Sequence, residues 1–462
     1  MTPYNIIGQQ NFSVEHFLVE DGLPHNIINQ IIQDKKGFIW LATSNGLSKY
    51  NGYTFQNYKT QPSDNVLMKS NRIDKIHEDL YGRIWIKSDG YKTNSYCFDP
   101  KTENFWSTEF IPDISGAGFS VDQIKINKSG LVWLLSETDG CVLVSDSLFS
   151  TKVYNKQLNT LNASTVYSVH EDANENSWLL TNNGLSFLRR DKLEQPLYYF
   201  SKELGKRTSF FSVVELRDEI WFGGSNGTIA KYSKTEHVFR TQKLELDANV
   251  TWLAKLNEQT IIALTDQKGF CTINRYTGNT QVYNSKTLEG IVTNNMIPIA
   301  ITQNSQLWFV SNREKGINLY DFSTQKLYRF PPVYQGLTRS TIPVRAYVFT
   351  DHKGDIWVQP YGGGFSKFNP NKRELTPFNY TGYFPHGNFT NSFHTAFFDK
   401  QGNLWYNTQS AGLVKVVFSD NNFRKSNVSD KLIQSSTKEV RAVFQDNKGD
   451  IWVGNKQNQI VI

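Results

Sequence analysis

Cysteine is nearly missing from this chain of 462 residues: Cys97, Cys141 and Cys271 stand alone and far apart. An odd, sparse set builds no disulfide framework, and no Cys/His spacing matches a zinc site, so all three read as buried strand residues. Histidine offers no metal site either. The eight histidines, among them His77, His170, His352, His386 and His394, include no H-x-H or H-x-x-x-H pair. Neither metal nor cofactor is expected. No apolar run approaches the roughly 20 residues that cross a bilayer. Met1-Thr2-Pro3-Tyr4-Asn5 has neither the charged nor the apolar part of a secretory signal. An excess of one charge is lacking too. The 49 basic and 43 acidic residues leave a scattered +6, where a nucleic-acid binder would gather its charge on one face.

Aromatic residues are abundant instead, at 14%, with 11 Trp, 22 Tyr and 31 Phe beside 31 Gly and only 3 Met. Such a composition favours strands and tight turns over a helical bundle or a disordered chain. The fold class is all-β, and a repeat says which kind. Asp34-Lys-Lys-Gly37-Phe-Ile-Trp40 returns as Asp79 to Trp85, Asn127 to Trp133 and, without its glycine, Asp172 to Trp178. Asp351 to Trp357, Asp399 to Trp405 and Asp446 to Trp452 are the cleanest copies, while Trp221 and Trp308 mark degenerate ones. A further copy has lost its tryptophan near Ile262. The period is about 46 residues.

Within each period an alternating run precedes the Asp-x-x-Gly turn. There Asp can bond the turn backbone and Gly can take a positive φ. The Trp strand follows, then a turn ending in glycine (Gly46 in the first copy), and two more strands joined by Asn51-Gly52, a strong hairpin signal. Four short strands make one blade of a β-propeller, and blades must stack in a ring, with tryptophan filling the wedge between neighbours. Ten copies exceed the usual four to eight blades of one ring. Two prolines in Phe330-Pro-Pro-Val-Tyr-Gln-Gly336 predict a break: a seven-bladed propeller over 1–333 and the first three blades of a second, incomplete one over 334–462. Those three would leave an open arc, which implies either a polypeptide continuing past Ile462 or a truncated gene product. The last copy shows no third or fourth strand. Strand Phe12–Phe17 lies ahead of the first blade and is available to close either ring.

Gly223-Gly-Ser225-Asn-Gly227 matches the G-x-S-x-G of a nucleophile elbow, but it falls where other blades carry Thr43-Ser-Asn-Gly46 and Thr181-Asn-Asn-Gly184. It reads as a repeat turn. Gly362-Gly-Gly364 lies in another turn and lacks the Lys-Ser/Thr of a phosphate loop. Propellers bind ligands at one end of the ring, which singles out two sets of positions. The turns after the Trp strands offer Tyr91, Lys92, Lys268, Arg313, Lys315 and Tyr361. Eleven residues before each tryptophan, near the start of the innermost strand, stand Asn29, Asp74, Asp122, Tyr167, Ala346, His394 and Arg441. Their polar variety contrasts with the aliphatic position two residues later (Ile31, Ile76, Ile124, Val169).

Asp-x-x-Gly-x-aliphatic-Trp resembles the Asp box of sialidase-like propellers, a likeness of structure that carries no chemistry. Gly22-Leu-Pro-His-Asn26 through Gly46-Leu-Ser-Lys-Tyr50-Asn-Gly-Tyr-Thr-Phe55 resembles the two-component regulator propeller repeat, whose pattern is GL-x-x-N followed by D-x-x-G-x-I-W-x-x-T-x-x-G-L-x-x-Y. That resemblance implies the sensor region of a bacterial hybrid two-component system, with two seven-bladed propellers outside the inner membrane. An immunoglobulin-like domain, a membrane helix, a kinase, a receiver and a DNA-binding region would follow. It implies a periplasmic, non-enzymatic domain that binds an oligosaccharide, signals through a dimer, touches no nucleic acid itself and is anchored only by later segments. A protein-interaction scaffold and a propeller hydrolase or lyase are the competing readings.

Overall fold

The computed structural model describes the chain apart from residues 1–11, 60–67, 69, 89–94, 109–118, 146–149, 200–207, 303, 312–313, 333–344, 352, 379–392, 408–411, 419–439, 447–450, 456–459 and 462. All regular structure among the described residues is strand, with short 3-10 turns and no α-helix. Two compact units separate by packing: Val14–Val417, and Met1–Ser13 together with Phe418–Ile462.

Blade one shows how the repeat folds. Its strands Ile28–Gln33, Ile39–Thr43, Gly46–Tyr50 and Phe55–Tyr58 pair antiparallel in chain order. The Asp box sits between the first two. Asp34 accepts the Phe38 N–H on one carboxylate oxygen at 2.9 Å and the Trp40 indole N–H on the other at 2.9 Å. One side chain thus closes the turn and fixes the ring that fills the wedge. The same indole bond recurs at Trp85–Asp79 (2.9 Å), Trp178–Asp172 (3.1 Å), Trp357–Asp351 (2.9 Å) and Trp405–Asp399 (2.8 Å). Blade four, which lacks the box glycine, places Glu175 at φ 61 in its stead, a conformation that costs an L-residue about 1–2 kcal/mol.

The blades beginning at Ile73, Gln123, Val166, Phe210, Val250, Met296 and Tyr347 are built alike, each as a four-stranded sheet in chain order. Ile262 occupies the tryptophan position of blade six in strand Thr260–Thr265, with Phe270 and Tyr283 filling the space beside it. Each buried indole removes about 150–250 Å² from water, on the order of 4–6 kcal/mol before the cost of ordering it. That energy is gained only against the next blade. Trp40 packs on Ile73, Ile76 and Ile84 of blade two, and Trp308 on Val358 and Phe368 of blade eight.

Blade nine is different. Its inner strands are Thr395–Phe398, Leu404–Asn407 and Leu413–Phe418, and its outermost strand is Phe12–Phe17 from the chain's beginning. Trp405 then packs on Ile31, Ile39 and Leu41 of blade one. Blades eight and nine are joined by Gln359, whose amide donates to the Phe393 carbonyl at 2.9 Å and accepts its N–H at 2.7 Å. The unit is therefore a β-propeller of nine blades closed by the N-terminal strand. The expected division into seven and three blades is not confirmed: Pro331 and Pro332 stop an outer strand, but blade eight still covers Trp308 and stacking continues. In the second unit, Val440–Gln445, Ile451–Asn455 and Ile460–Val461 form a three-stranded sheet. The tenth copy thus has the third strand that its sequence did not betray.

Candidate functional site

The first strand of each sheet is the innermost one of its blade, so in a ring of nine blades these strands surround the central tunnel and the turns after the second strands gather at one mouth of it. These turns are built to one plan. In blade one Thr43 donates its hydroxyl to the Gly46 carbonyl at 2.7 Å and accepts the Asn45 N–H at 3.1 Å. Blade four repeats it with Thr181 and Gly184. Blade six does so with Thr265, which bonds the Gly269 carbonyl at 2.8 Å and takes the Lys268 N–H at 3.1 Å. Gly46 has φ +112, and a Cβ there would meet the Tyr58 carbonyl at 2.7 Å, so only glycine fits.

Lys268 is held at this mouth with its side chain exposed, and Lys315 likewise in the turn of blade seven. Tyr361 is brought beside Lys315: its backbone exchanges hydrogen bonds with Gly316 at 3.0 and 2.9 Å. Its ring, however, packs with the Trp308 cluster and serves the core. Tyr91, Lys92 and Arg313 lie outside the described residues. Arg441 is exposed on strand Val440–Gln445 of the other unit.

His394 does stand in the tunnel set. Its N–H bonds the Asn407 carbonyl at 2.8 Å, and its own carbonyl accepts the Tyr347 hydroxyl at 2.7 Å. Burial first, then the charges of Arg345 and Lys75, push its imidazole below the ordinary histidine value. Those two cations were not singled out by sequence reasoning, nor were Lys87 and Lys125. The signal was present. Lys75 lies ten residues before Trp85 and Lys125 eight before Trp133, on strands whose counterparts in blades one and four carry no lysine. Across the ring, Tyr167 and Phe211 of blades four and five bring their rings to 4.9 Å.

Other candidates resolve into local structure. The Ser225 hydroxyl of the G-x-S-x-G segment accepts the Ser209 N–H at 3.3 Å, as a turn residue would. His170 pairs with Glu215 at 3.1 Å, and His237 with the Tyr232 hydroxyl at 2.9 Å. Cys97, Cys141 and Cys271 are buried, each in the third strand of its blade. Burial pushes all three thiols up, Cys271 to about 12. Two grooves are lined by other residues. One of about 320 Å³ runs along the rim of blades seven and eight past Tyr328, Arg329 and Arg373, and one of about 450 Å³ faces Phe444 and Trp452 of the second unit.

Comparison with known proteins places a family on the first blade. The model of the two component regulator propeller matches residues 22–45. A segment of 56 residues is 39% identical to Histidine kinase P4 of Formosa agariphila, covering 12% of this chain and 4% of that protein. The fold is similar to the extracellular domain of a proposed hybrid two component system of B. thetaiotaomicron, at 18% identity and a TM-score of 0.39 over 98% of this chain and 66% of that one. It is similar also to a virginiamycin B lyase of Staphylococcus aureus, at 15% identity and a TM-score of 0.38 over 76% and 96% of the two chains. The chain thus spans about two thirds of the extracellular domain and a small part of the kinase. Residues 22–45, the approach to blade one and its first two strands, are a two component regulator propeller repeat.

Proposed function

We propose that this chain is a ligand-sensing region of a hybrid two-component regulator. It binds glycan-derived oligosaccharides without chemistry and passes the event to a kinase part that follows it, in the periplasm and through a dimer. One observation carries the reading: the regulator repeat at residues 22–45, in a chain with a segment 39% identical to a histidine kinase. The tunnel supports it. Concave sites with a few convergent polar groups among aromatic ones suit small ligands, and sugar rings stack on faces such as those of Tyr167 and Phe211 while hydroxyls pair with Asn, Asp and Lys. Signalling would follow if the ligand favours one arrangement of propellers or protomers over another.

Calorimetry against acidic and neutral oligosaccharides, with reducing ends assayed in parallel, tests this. Saturable binding without new reducing ends is the expected result. Capture of a stable protein partner with silence across the saccharides would favour a scaffold, and product formation would favour a hydrolase or lyase.

A further inference from the structure

Four asparagines in this chain precede a glycine: Asn45, Asn51, Asn183 and Asn226. With no Cβ beside it, the glycine nitrogen is unshielded and, once it has lost its proton, can attack the carboxamide carbon of the asparagine before it. The fold withholds three of these nitrogens. Gly46, Gly184 and Gly227 donate their N–H groups to the carbonyls of Asn71, Thr208 and Ala248 at 2.7, 2.8 and 2.6 Å, each just ahead of the next blade's innermost strand. All three glycines are buried.

Asn51-Gly52 belongs to another turn, the hairpin between the third and fourth strands of blade one, where both residues are exposed. The Gly52 N–H makes no hydrogen bond among the described residues, and nothing lies within 4 Å of the point where a Cβ would stand on Gly52. The Asn51 carboxamide is held in place. Its Oδ1 accepts the N–H groups of Tyr53 and Thr54 at 2.9 and 2.8 Å, and its Nδ2 donates to the Thr54 hydroxyl at 3.1 Å. Two donors on that oxygen stabilise the oxyanion that forms when the carbon is attacked.

We propose that Asn51 is a self-modification site, converted to aspartate and isoaspartate by Gly52 with water as the co-reactant. Water takes the Gly52 amide proton, the nitrogen bonds to Cγ, and the Cγ–Nδ2 bond breaks as ammonia leaves with a proton from water. A second water then opens the succinimide. Opening at Cγ restores the ordinary main chain with an aspartate; opening at the Asn51 backbone carbonyl leaves isoaspartate, with the chain running through Cβ and Cγ. The consequence falls on the seam that closes the ring. Tyr50 donates its hydroxyl to the Gly52 carbonyl at 2.8 Å, and the rings of Tyr50 and Phe55 pack on Phe17 of the N-terminal strand. An extra main-chain atom in this hairpin loosens those contacts.

The test holds the whole chain folded at neutral and at mildly alkaline pH, beside a sample unfolded in guanidinium. Mass spectrometry, resolved to the residue, reads the exchange of amide for acid at the four asparagines, and enzymatic methylation reads isoaspartate. Unfolded, all four should react at similar rates. Folded, Asn51 should keep its rate, which rises with pH as a deprotonated nucleophile requires. The other three should slow about tenfold or more, the cost of freeing a bonded glycine N–H. Aged wild type should melt below fresh protein, whereas fresh N51D, with its acceptor oxygen and ordinary main chain, should not. Slowing of Asn51 in the fold as far as the others, reaction first at Asn45, Asn183 or Asn226, or a rate indifferent to pH would overturn the proposal.

Discussion

Lys400 donates its backbone N–H to the Gln33 side chain at 2.8 Å and its ammonium to the Asp34 carbonyl at 2.9 Å, joining residues 367 and 366 positions apart. The contact repeats a latch found within the ring. Lys35 gives its N–H to Glu78 of blade two at 2.9 Å and its ammonium to the Asp79 carbonyl at 3.2 Å. Ala173 gives its N–H to Glu215 of blade five at 2.9 Å. In each case the last residue of an innermost strand caps the Asp box of the blade before it. Blade nine therefore meets blade one as any other pair of neighbours meets.

Closure of this kind predicts an energetic coupling that an open arc would lack. Phe17, on the N-terminal strand, lies 6.5 Å from Trp405 and 5.3 Å from Tyr50. A double-mutant cycle of Phe17→Ala with Trp405→Phe, read by urea unfolding, should give a coupling of about 0.5–1.5 kcal/mol. No coupling would mean that the strand closes some other sheet.

Asp79 should be the costliest box residue to remove. It bonds the Trp85 indole as its counterparts do, and it also holds the Arg83 guanidinium at 2.6 Å, with the two side chains only 6% and 0% exposed. Asp79→Ala takes away the carboxylate that faces a buried guanidinium, at about 3–5 kcal/mol. Asp34→Ala strands an indole N–H and a turn amide and should cost about 1–3 kcal/mol. Equal losses in chemical denaturation would contradict this account.

Much of this architecture was legible because each blade is specified locally. The Asp-x-x-Gly-x-x-Trp spacing writes turn, strand and wedge into seven residues, and even Ile262 could be placed by its neighbours. Ring size was not legible. It depends on small rotations between successive blades, which arise from packing such as Trp308 on Phe368 rather than from any one residue. Pro331 and Pro332 follow the end of strand Lys326–Phe330, and the end of a strand does not by itself mark the end of a ring. At the site, Lys268 and Lys315 stand exposed in the turns after their second strands, as their positions required, whereas the bond from the Tyr347 hydroxyl to the His394 carbonyl joins residues 47 positions apart on successive blades, which no local spacing encodes.

One blade carries a defect that a single substitution should mend. Asn127 stands where other boxes have Asp, its amide donates to Ser177 at 3.4 Å, and the buried Trp133 indole N–H has no partner. Asn127→Asp restores the carboxylate that holds Trp40 and Trp178. The expected gain is about 1 kcal/mol in unfolding free energy at neutral pH, and it should vanish in acid once the new carboxyl is protonated.

The latch carboxylates should respond to pH in opposite senses. Burial works to raise the Glu215 carboxyl, but the Lys234 ammonium at 2.6 Å, the Ala173 N–H and His170 together hold it below its ordinary value of 4.5. A depressed carboxylate contributes stability above its unfolded value and loses it as pH falls through the folded one. Glu215→Gln should therefore destabilise at neutral pH, with the deficit closing in acid. Glu78 is the reverse. Burial, aided by Asp34, raises its carboxyl despite the Lys35 N–H, so ionising it works against the fold at neutral pH. Glu78→Gln keeps an oxygen for the Lys35 N–H and should be neutral or stabilising there, an advantage that shrinks as acid protonates the wild type. Urea midpoints of both variants across this range decide the matter: parallel pH profiles would show that the two carboxylates share one environment after all.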